Sequence, residues 1–357
     1  MSGTSVIATI PLSGGGGPIV YDPSNGYVYV INGNCNVTII SDTSAITTIP
    51  TNIPFNYCIP TDAVYDPASN YVYFSTDITT GASNMITVIS GNSEIASFST
   101  GEYPVALAYD PSDGYVYALS QLSGSTNPAG FSGPQSILSL ISGTSVVGTL
   151  SSIGETFTGG ATYELAYDPA DSYMYLGDVV NGIPSVQAIS GGSIIDTFNA
   201  LPNNIPGQTG VIPYSLAYDP GNENMYINGW WADSNTINPS NVISYFSGTS
   251  GTATAFSVNS MTFGTEVQGA YMTYDPGNGY MYADEGYPSG FNTPNAYRVI
   301  SGSSVVGPLY TATGAIDIPP YGDMVYDQSN GYIYSTNFFE NEVDIISGTS
   351  VVATVPI

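Results

Sequence analysis

A short phrase is repeated seven times along this chain, and it consists of Tyr-Asp, a polar turn and an alternating tyrosine-rich run. A unit that recurs in this way is typical of repeat folds, because one copy is too small to bury its own apolar face. The chain therefore folds by packing seven similar units together. The copies are 44 to 58 residues apart and begin at Val20, Val64, Ala108, Ala166, Ala217, Thr273 and Val325.

The first copy predicts a small sheet of four strands. An apolar strand ends at Tyr21, the segment 22–26 supplies a turn, and Tyr27–Val30 alternates with a period of two, as in a β-hairpin. A third strand is predicted over Val37–Ile40 and a fourth over Ala45–Ile49. Each unit is therefore a four-stranded antiparallel meander.

A Ser-Gly turn before the fourth strand also recurs, and it follows Ile89, Ile141, Ile189, Phe246, Ile300 and Ile346. We letter the strands A to D from the axis outward. The A–B and C–D turns then share one face, the turn face, and the longer B–C and D–A connections share the opposite, variable face. These features predict an all-β fold, a seven-bladed β-propeller. The predicted blades of the single domain 1–357 are 17–50, 60–100, 104–150, 162–200, 213–258, 269–311 and 321–357.

The aspartate of each repeated phrase has two interpretations. As a turn residue, it would accept hydrogen bonds from backbone N–H groups of its own turn. As one of seven acidic residues in a ring, it would instead converge with the others on an ion. The first interpretation is the prediction, and the second stays open as an alternative.

The charge inventory is the second strong constraint. Lys and Arg together number 1 (Arg298), His numbers 0, and Asp and Glu number 28, so the net charge at neutral pH is −27. At about pH 2 the carboxylates would be mostly protonated and the chain nearly neutral, since their ordinary pKa is about 4. Ordinary proteins become strongly cationic there and repel themselves. The inventory predicts a protein that works in acid outside the cell.

The alternative is an acidic surface that serves solubility or salt tolerance, but this does not explain the near-absence of lysine. Nucleic acids and anionic membranes attract Lys and Arg, so neither is expected as a partner. No apolar run reaches the roughly 18 residues of a membrane helix. No signal-peptide pattern follows Met1. The expected extracellular location therefore rests on composition.

The two cysteines lie near each other in the predicted variable-face connections of the first blade. Cys35 and Cys58 are predicted to form a disulfide, which is consistent with an oxidising exterior. Asn36 begins an Asn-Val-Thr sequon and is a candidate for glycosylation. With no histidine and no further cysteine, a zinc site is not expected. Calcium on loop Asp and Asn oxygens stays open, although protonation would weaken it in acid, and the prediction is no metal site and no cofactor.

The two ends of the chain carry nearly the same strand. Residues 2–12 read SGTSVIATIPL and residues 347–357 read SGTSVVATVPI, so the chain has one D-type strand more than seven blades need. Three explanations stay open: a cut from a longer array, a fifth strand in one blade, or insertion into a neighbouring molecule by β-strand addition. The candidates for such exchange are Val6, Ile7, Ile10, Val351, Val352 and Val355.

The text of the blades resembles a known family. The segments YVYVIN from Tyr27, NVTIISD from Asn36 and TSAITTIP from Thr43 resemble the YVTN-repeat β-propeller of archaeal surface-layer proteins. The resemblance covers all seven units and implies an extracellular, usually non-catalytic module of surface structure or adhesion. The chain departs from the family by ending strand C in Ser-Gly and by nearly lacking lysine, and no ligand residue is carried over.

Catalysis is restricted by the same inventory. Without His or Lys, a Ser-His-Asp triad, a Cys-His pair and a Schiff base are excluded. Carboxylate chemistry remains, and Asp284 and Glu285 on the variable face are candidates, although a solvated acidic loop is the favoured interpretation. Trp230, Trp231, Tyr287 and Phe291 could stack on a sugar or contact a protein there.

The sequence therefore predicts a non-enzymatic surface-layer or filament building block of an acid-living microbe, with no catalytic residues. Its expected partners are copies of itself or other surface proteins. The first alternative is an extracellular carbohydrate- or protein-binding module that uses the variable face. The second is an acid glycan hydrolase, which would need two converging carboxylates there.

Overall fold

The structure is a computed structural model, and its regular secondary structure is β-strand throughout the described part of the chain. Among the described residues no helix is long and apolar enough to cross a membrane. The described residues are 10–12, 16–51, 53, 59–77, 85–101, 103–121, 135–155, 165–180, 183–200, 211–231, 242–248, 254–257, 272–284, 296–310, 324–328, 330–337 and 342–356.

The strands form seven separate sheets of four, and each sheet is antiparallel with its strands in chain order. Blade 1 contains β1 (Gly16–Asp22), β2 (Tyr27–Asn32), β3 (Val37–Ser41) and β4 (Ser44–Ile49). Blade 2 contains β5 (Ile59–Asp66), β6 (Tyr71–Asp77), β7 (Met85–Ser90) and β8 (Ser93–Phe98). Blade 3 contains β9 (Pro104–Asp110), β10 (Tyr115–Gln121), β11 (Gln135–Ser142) and β12 (Ser145–Glu155).

The remaining blades repeat this order. Blade 4 contains β13 (Leu165–Asp168), β14 (Tyr173–Val180), β15 (Ile183–Ser190) and β16 (Ser193–Asn199). Blade 5 contains β17 (Val211–Asp219), β18 (Asn224–Trp231), β19 (Val242–Phe246) and β20 (Thr254–Ser257). Blade 6 contains β21 (Met272–Asp275), β22 (Tyr280–Asp284), β23 (Ala296–Ser301) and β24 (Ser304–Tyr310). Blade 7 contains β25 (Met324–Asp327), β26 (Tyr332–Asn337), β27 (Glu342–Ser347) and β28 (Ser350–Pro356).

Strand A of each blade lies beside strand A of the next one, from β1 through to β25. This arrangement places the seven sheets around a common axis in a ring. The protein is a seven-bladed β-propeller of four-stranded antiparallel blades, and the predicted fold class is confirmed.

The core lies between the blades rather than inside any one of them. Between blades 1 and 2, Tyr29, Ile31 and Ile39 pack against Val72 and Phe74, and all five side chains are almost fully buried. Clusters of the same kind join each blade from 2 to 6 to its successor. Strand B is therefore apolar on both faces, because its alternate side chains pack against two different neighbours.

The junction between blade 7 and blade 1 is packed differently. In the described part of the chain, the cluster on blade 7 contains Tyr334, Val343 and Ile345 but no residue of blade 1. Ile19 of blade 1 is 65% exposed, whereas Leu107 at the same position of blade 3 is 7% exposed. Among the described residues, this junction is the one without a cluster shared by both blades.

Blade 7 is completed by the C-terminal strand of the same chain. In the register of β28 on β27, Ile346 pairs with Val351 and Val343 pairs with Val355. The repeat left open which of the two similar terminal strands takes this place. The structure assigns it to Ser350–Pro356, while residues 1–9 lie outside the described residues.

The unequal packing of the junctions predicts unequal effects of truncating equivalent residues. Leu107→Ala leaves a cavity between blades 2 and 3 and is expected to lower the free energy of unfolding by about 2–5 kcal/mol. Ile19→Ala at the exposed position is expected to cost less than about 1 kcal/mol. Urea unfolding of the two variants measures both values. Equal losses would contradict the loose junction, since they would mean that Ile19 is buried as deeply as Leu107.

Candidate functional site

The turn face carries the same buried carboxylate in blade after blade. In blade 1 the Asp22 Oδ1 accepts a hydrogen bond from the Ser24 backbone N–H at 2.8 Å, and the Asp22 carbonyl accepts one from Gly26 at 2.9 Å. The turn aspartate is at most 4% exposed in six blades: Asp22, Asp66, Asp110, Asp168, Asp219 and Asp275. In each of these six, Oδ1 accepts the N–H two residues further on. The prediction that the aspartate caps its own turn is confirmed for these blades.

A tyrosine of strand B connects each of several turns to the next blade. The Tyr29 hydroxyl accepts a hydrogen bond from Asn25 Nδ2 at 2.9 Å and donates one to the Gly91 carbonyl of blade 2 at 2.7 Å. We call this hydroxyl-to-carbonyl bond the tyrosine latch. The other latches, each of 2.8 Å, run from Tyr73 to Gly143, from Tyr226 to Gly302 and from Tyr282 to Gly348.

Burial keeps the latch hydroxyls protonated. It raises the pKa of Tyr73 to about 12 and the pKa of Tyr282 to about 12, because a phenolate would lose its hydration between the blades. Both hydroxyls can therefore donate from strongly acidic to mildly alkaline pH. A latch of this kind needs no cation, which suits a chain with a single Lys or Arg.

Blades 3 and 4 depart from this arrangement at one position. Where blade 1 has Asn25, they have Asp113 and Asp171. The Tyr117 hydroxyl donates to Asp113 Oδ2 at 2.6 Å, and the Tyr175 hydroxyl donates to Asp171 Oδ2 at 2.5 Å. These two tyrosines direct their protons to their own turns instead of to the next blade.

Two further carboxylates, one half-buried and one buried, join neighbouring blades. Asp62 Oδ2 of blade 2 accepts a hydrogen bond of 2.6 Å from the backbone N–H of Leu107 in blade 3. Asp344 of blade 7 is fully buried and accepts two hydrogen bonds. One comes from Thr354 Oγ1 of the same blade at 2.8 Å, and the other comes from the Tyr297 hydroxyl of blade 6 at 3.1 Å. The sequence did not single out these residues, because neither lies in a repeated phrase. A lone acidic residue inside an apolar strand was the only available signal.

The aromatic and acidic residues predicted for the variable face lie at and after the ends of two B strands, β18 of blade 5 and β22 of blade 6. Trp230 and Trp231 are the last residues paired in β18, opposite Ile212 and Val211. In blade 6, the neighbour of blade 5, Asp284 ends β22 and is paired with Tyr297 of β23 in the same blade. The structure thus places both tips on the same face of neighbouring blades. Glu285, Tyr287 and Phe291 lie outside the described residues.

The remaining predicted residues are only partly described. Cys35 is buried and is not a free thiol, but Cys58 lies outside the described residues, so the bond between them stays a prediction. Asn36 is half-buried at the end of the β2–β3 connection, where its carbonyl accepts the Asn32 N–H at 2.8 Å. Of the exchange candidates, Val6 and Ile7 lie outside the described residues, whereas Val352 on β28 is 45% exposed.

Comparison with known proteins supports the fold and goes no further. No family model matches the chain, and no curated protein matches it in sequence. Among solved structures, the chain is similar to hydrazine synthase of Kuenenia stuttgartiensis, with a TM-score of 0.62 over 98% of this chain and 99% of that chain. The identity is 13%, so this likeness shows a shared propeller architecture alone.

The latch predicts a measurable contribution to stability. Tyr226→Phe removes the hydroxyl that donates to Gly302 and accepts from Asn222, and leaves both groups without this partner. We expect a loss of about 1–3 kcal/mol in the free energy of unfolding, measured by urea denaturation. Tyr103→Phe, at a residue that is 38% exposed, is the control. A loss no larger than that of the control would show that the latch contributes nothing.

Proposed function

We propose that this protein is a non-enzymatic building block of an extracellular surface layer or filament that works in acid. The observation that carries the proposal is the way the blades are joined. Neutral tyrosine hydroxyls, backbone groups and apolar side chains make most of these contacts, and the carboxylates of Asp62 and Asp344 add two more. None of these groups gains a positive charge when the pH falls. A chain with 28 acidic residues and 1 basic residue loses charge in acid and is not driven apart there.

The spare terminal strand supports assembly between copies. Ile10 precedes Asp22 by 12 residues, which is also the spacing between Phe98 at the end of β8 and Asp110. Residues 2–12 thus have the position of a strand D that leads into blade 1. The place for that strand on β27 is held by Ser350–Pro356. By its sequence, the segment 2–12 is therefore one D-type strand more than seven four-stranded blades need.

The partner we propose for this strand is blade 7 of a second copy. The contact that orients β28 includes the bond from Thr354 to the buried Asp344, and Thr9 is the matching residue of the N-terminal strand. Exchange with β28 and pairing along its outer edge both use backbone hydrogen bonds. Because the donated strand and the accepting blade are different surfaces, the pairing is head-to-tail, and it produces an open filament when successive copies do not close into a ring.

The resemblance of the blade text to YVTN-repeat propellers agrees with a role at the cell surface. That part of the proposal is supported by the sequence phrases and by composition. We extend it to an archaeal surface protein on the same grounds, with the other surface proteins as further partners.

Binding by the variable face is the second candidate function. The observation in its favour is that Trp230 and Trp231 end β18 beside the blade that carries Asp284. Tryptophan faces stack well on sugars and are common at the centre of protein contacts. Trp230→Ala and Trp231→Ala are expected to abolish retention on a glycan array at pH 3. Unchanged retention in both variants would exclude this face.

Electron microscopy of the purified chain at pH 3 tests assembly. We expect filaments from the full chain and single rings from a chain that lacks residues 2–12. Ala8→Pro provides a milder variant, since proline removes a donor from the middle of the donated strand, and Ser2→Pro at its end is the matched control. Filaments that persist in the truncated chain would eliminate strand donation. Single rings in every sample would eliminate the filament function.

A further inference from the structure

The acidic pair of blade 3 leaves a hydrogen-bonding problem that blades 1, 2 and 7 do not have. In blades 1 and 7 the turn carboxylate receives a donor on its second oxygen: Asn25 Nδ2 lies 2.7 Å from Asp22 Oδ2, and Asn330 Nδ2 lies 2.7 Å from Asp327 Oδ2. In blade 2, Ser69 Oγ donates to Asp66 Oδ2 at 2.6 Å. These turns are complete at any pH at which the carboxylate is ionised.

Blade 3 has a carboxylate where this donor should be. Asp113 occupies the position of Asn25, and an ionised carboxylate can only accept hydrogen bonds. The fully buried Asp110 accepts two hydrogen bonds from Ser112 on Oδ1, but its Oδ2 is buried without a partner. Such an oxygen is costly to bury, and a proton shared by the two acids would satisfy it.

Among the described residues, the blades that have aspartate in place of the asparagine donor also lack the tyrosine latch to the next blade. Tyr117 donates to Asp113, and its contact with blade 4 is a weaker bond of 3.3 Å in which the Gly192 N–H donates to the hydroxyl. Tyr175 donates to Asp171 in the same way. Within the described part of the chain, the bonds that Tyr117 and Tyr175 would make to the Gly191 and Gly248 carbonyls are not formed. The two junctions that follow an acidic pair are the ones affected.

We propose that blades 3 and 4 carry a proton-operated latch that tightens the junctions between blades 3 and 4 and between blades 4 and 5 in acid. Each acidic pair, Asp110 with Asp113 and Asp168 with Asp171, takes up one proton. The proton supplies the donor that asparagine supplies elsewhere. It also removes the charged acceptor that holds the tyrosine hydroxyl, so that Tyr117 and Tyr175 can donate to the turn of the next blade.

The surroundings of both pairs favour proton uptake. Asp110 is faced by Asp113, Tyr109 and Tyr117, with Asp66 of blade 2 close to Tyr109. Asp168 is faced by Asp171 and Tyr175 of its own blade and by Glu223 and Tyr218 of blade 5. No cation is among these groups. Burial raises the pKa of Asp110, of Asp171 and of Asp168, the last to about 6.

The sign of the pH dependence follows from these shifts. A carboxyl group whose pKa is raised in the folded state binds its proton more tightly there than in the unfolded chain. Its contribution to stability is therefore complete below the unfolded pKa of about 4 and is lost as the pH rises through about 6. This is the reverse of the usual acid denaturation.

The test exchanges asparagine and aspartate at the same turn position of different blades, in both directions. Asp113→Asn and Asp171→Asn give blades 3 and 4 the asparagine of blade 1, while Asn25→Asp gives blade 1 the acidic pair. We expect the first two variants to raise the Tm at pH 7 by at least about 2 °C and to leave the Tm at pH 3 nearly unchanged. Asn25→Asp should lower the Tm at pH 7 and recover most of it at pH 3. Asp42→Asn removes one charge from an exposed turn and is the control for net charge.

A second measurement reports the junctions themselves. Hydrogen exchange in the turns at Gly191 and Gly248, corrected for the intrinsic pH dependence, should slow from pH 7 to pH 4 in the parent protein. The turn at Gly91, which already accepts a latch, should not change. The proposal is overturned if Asp113→Asn and Asp171→Asn keep the parent pH dependence of Tm, or if the three turns respond alike. All of these measurements are made in the Ala8→Pro background, in which donation of the N-terminal segment is blocked, so they do not depend on the proposed assembly.

Discussion

The bond from a strand-B tyrosine to the turn of the next blade is the directional interaction that orients the blades at four of the described junctions. Each blade is a single four-stranded sheet that cannot bury either face alone, so the fold exists only through its junctions. Apolar packing supplies most of the stabilisation at a junction, but it does not fix the angle or the height of one blade against the next. The buried hydroxyl of Tyr29, with one partner at Asn25 and the other at Gly91, fixes both.

The choice of tyrosine for this task is consistent with the charge inventory. An ion pair would serve at neutral pH, but it would fail in acid as its carboxylate became protonated. A phenol with a raised pKa donates throughout that range, and the partner carbonyl does not titrate. The chain thus has 30 tyrosines and a single arginine, and its junctions use tyrosine hydroxyls where ion pairs could not form. The groups that do titrate are the carboxylates that organise the turns. Blades 1, 2 and 7 supply each with an asparagine or serine donor, whereas blade 3 places a second acid there.

What the sequence could predict depends on how far apart the interacting residues are. The hairpin and its cap lie within five residues, from Asp22 to Gly26, so the local pattern was sufficient for both. The latch joins residues 62 apart in sequence, and the repeated tyrosine did not reveal its partner. The change from asparagine to aspartate in blades 3 and 4 was visible from the start. Its meaning required the knowledge that Asp22 Oδ2 needs a donor.

The junction between blades 7 and 1 is packed loosely because these two blades are not consecutive in the chain. Every other pair of blades is also joined through the chain, so the D–A connection holds the two apolar faces at a high effective concentration. Blades 7 and 1 have no such connection unless a strand from the N-terminal side enters blade 7. Ser350–Pro356 completes that blade without linking it to blade 1. A strand supplied by residues 2–12 would provide the link within one ring, or between rings if it reached a neighbouring copy. Closure of the ring and growth of a filament would therefore compete for one segment, and Ile19 and Val325, on the first strands of blades 1 and 7, are both exposed.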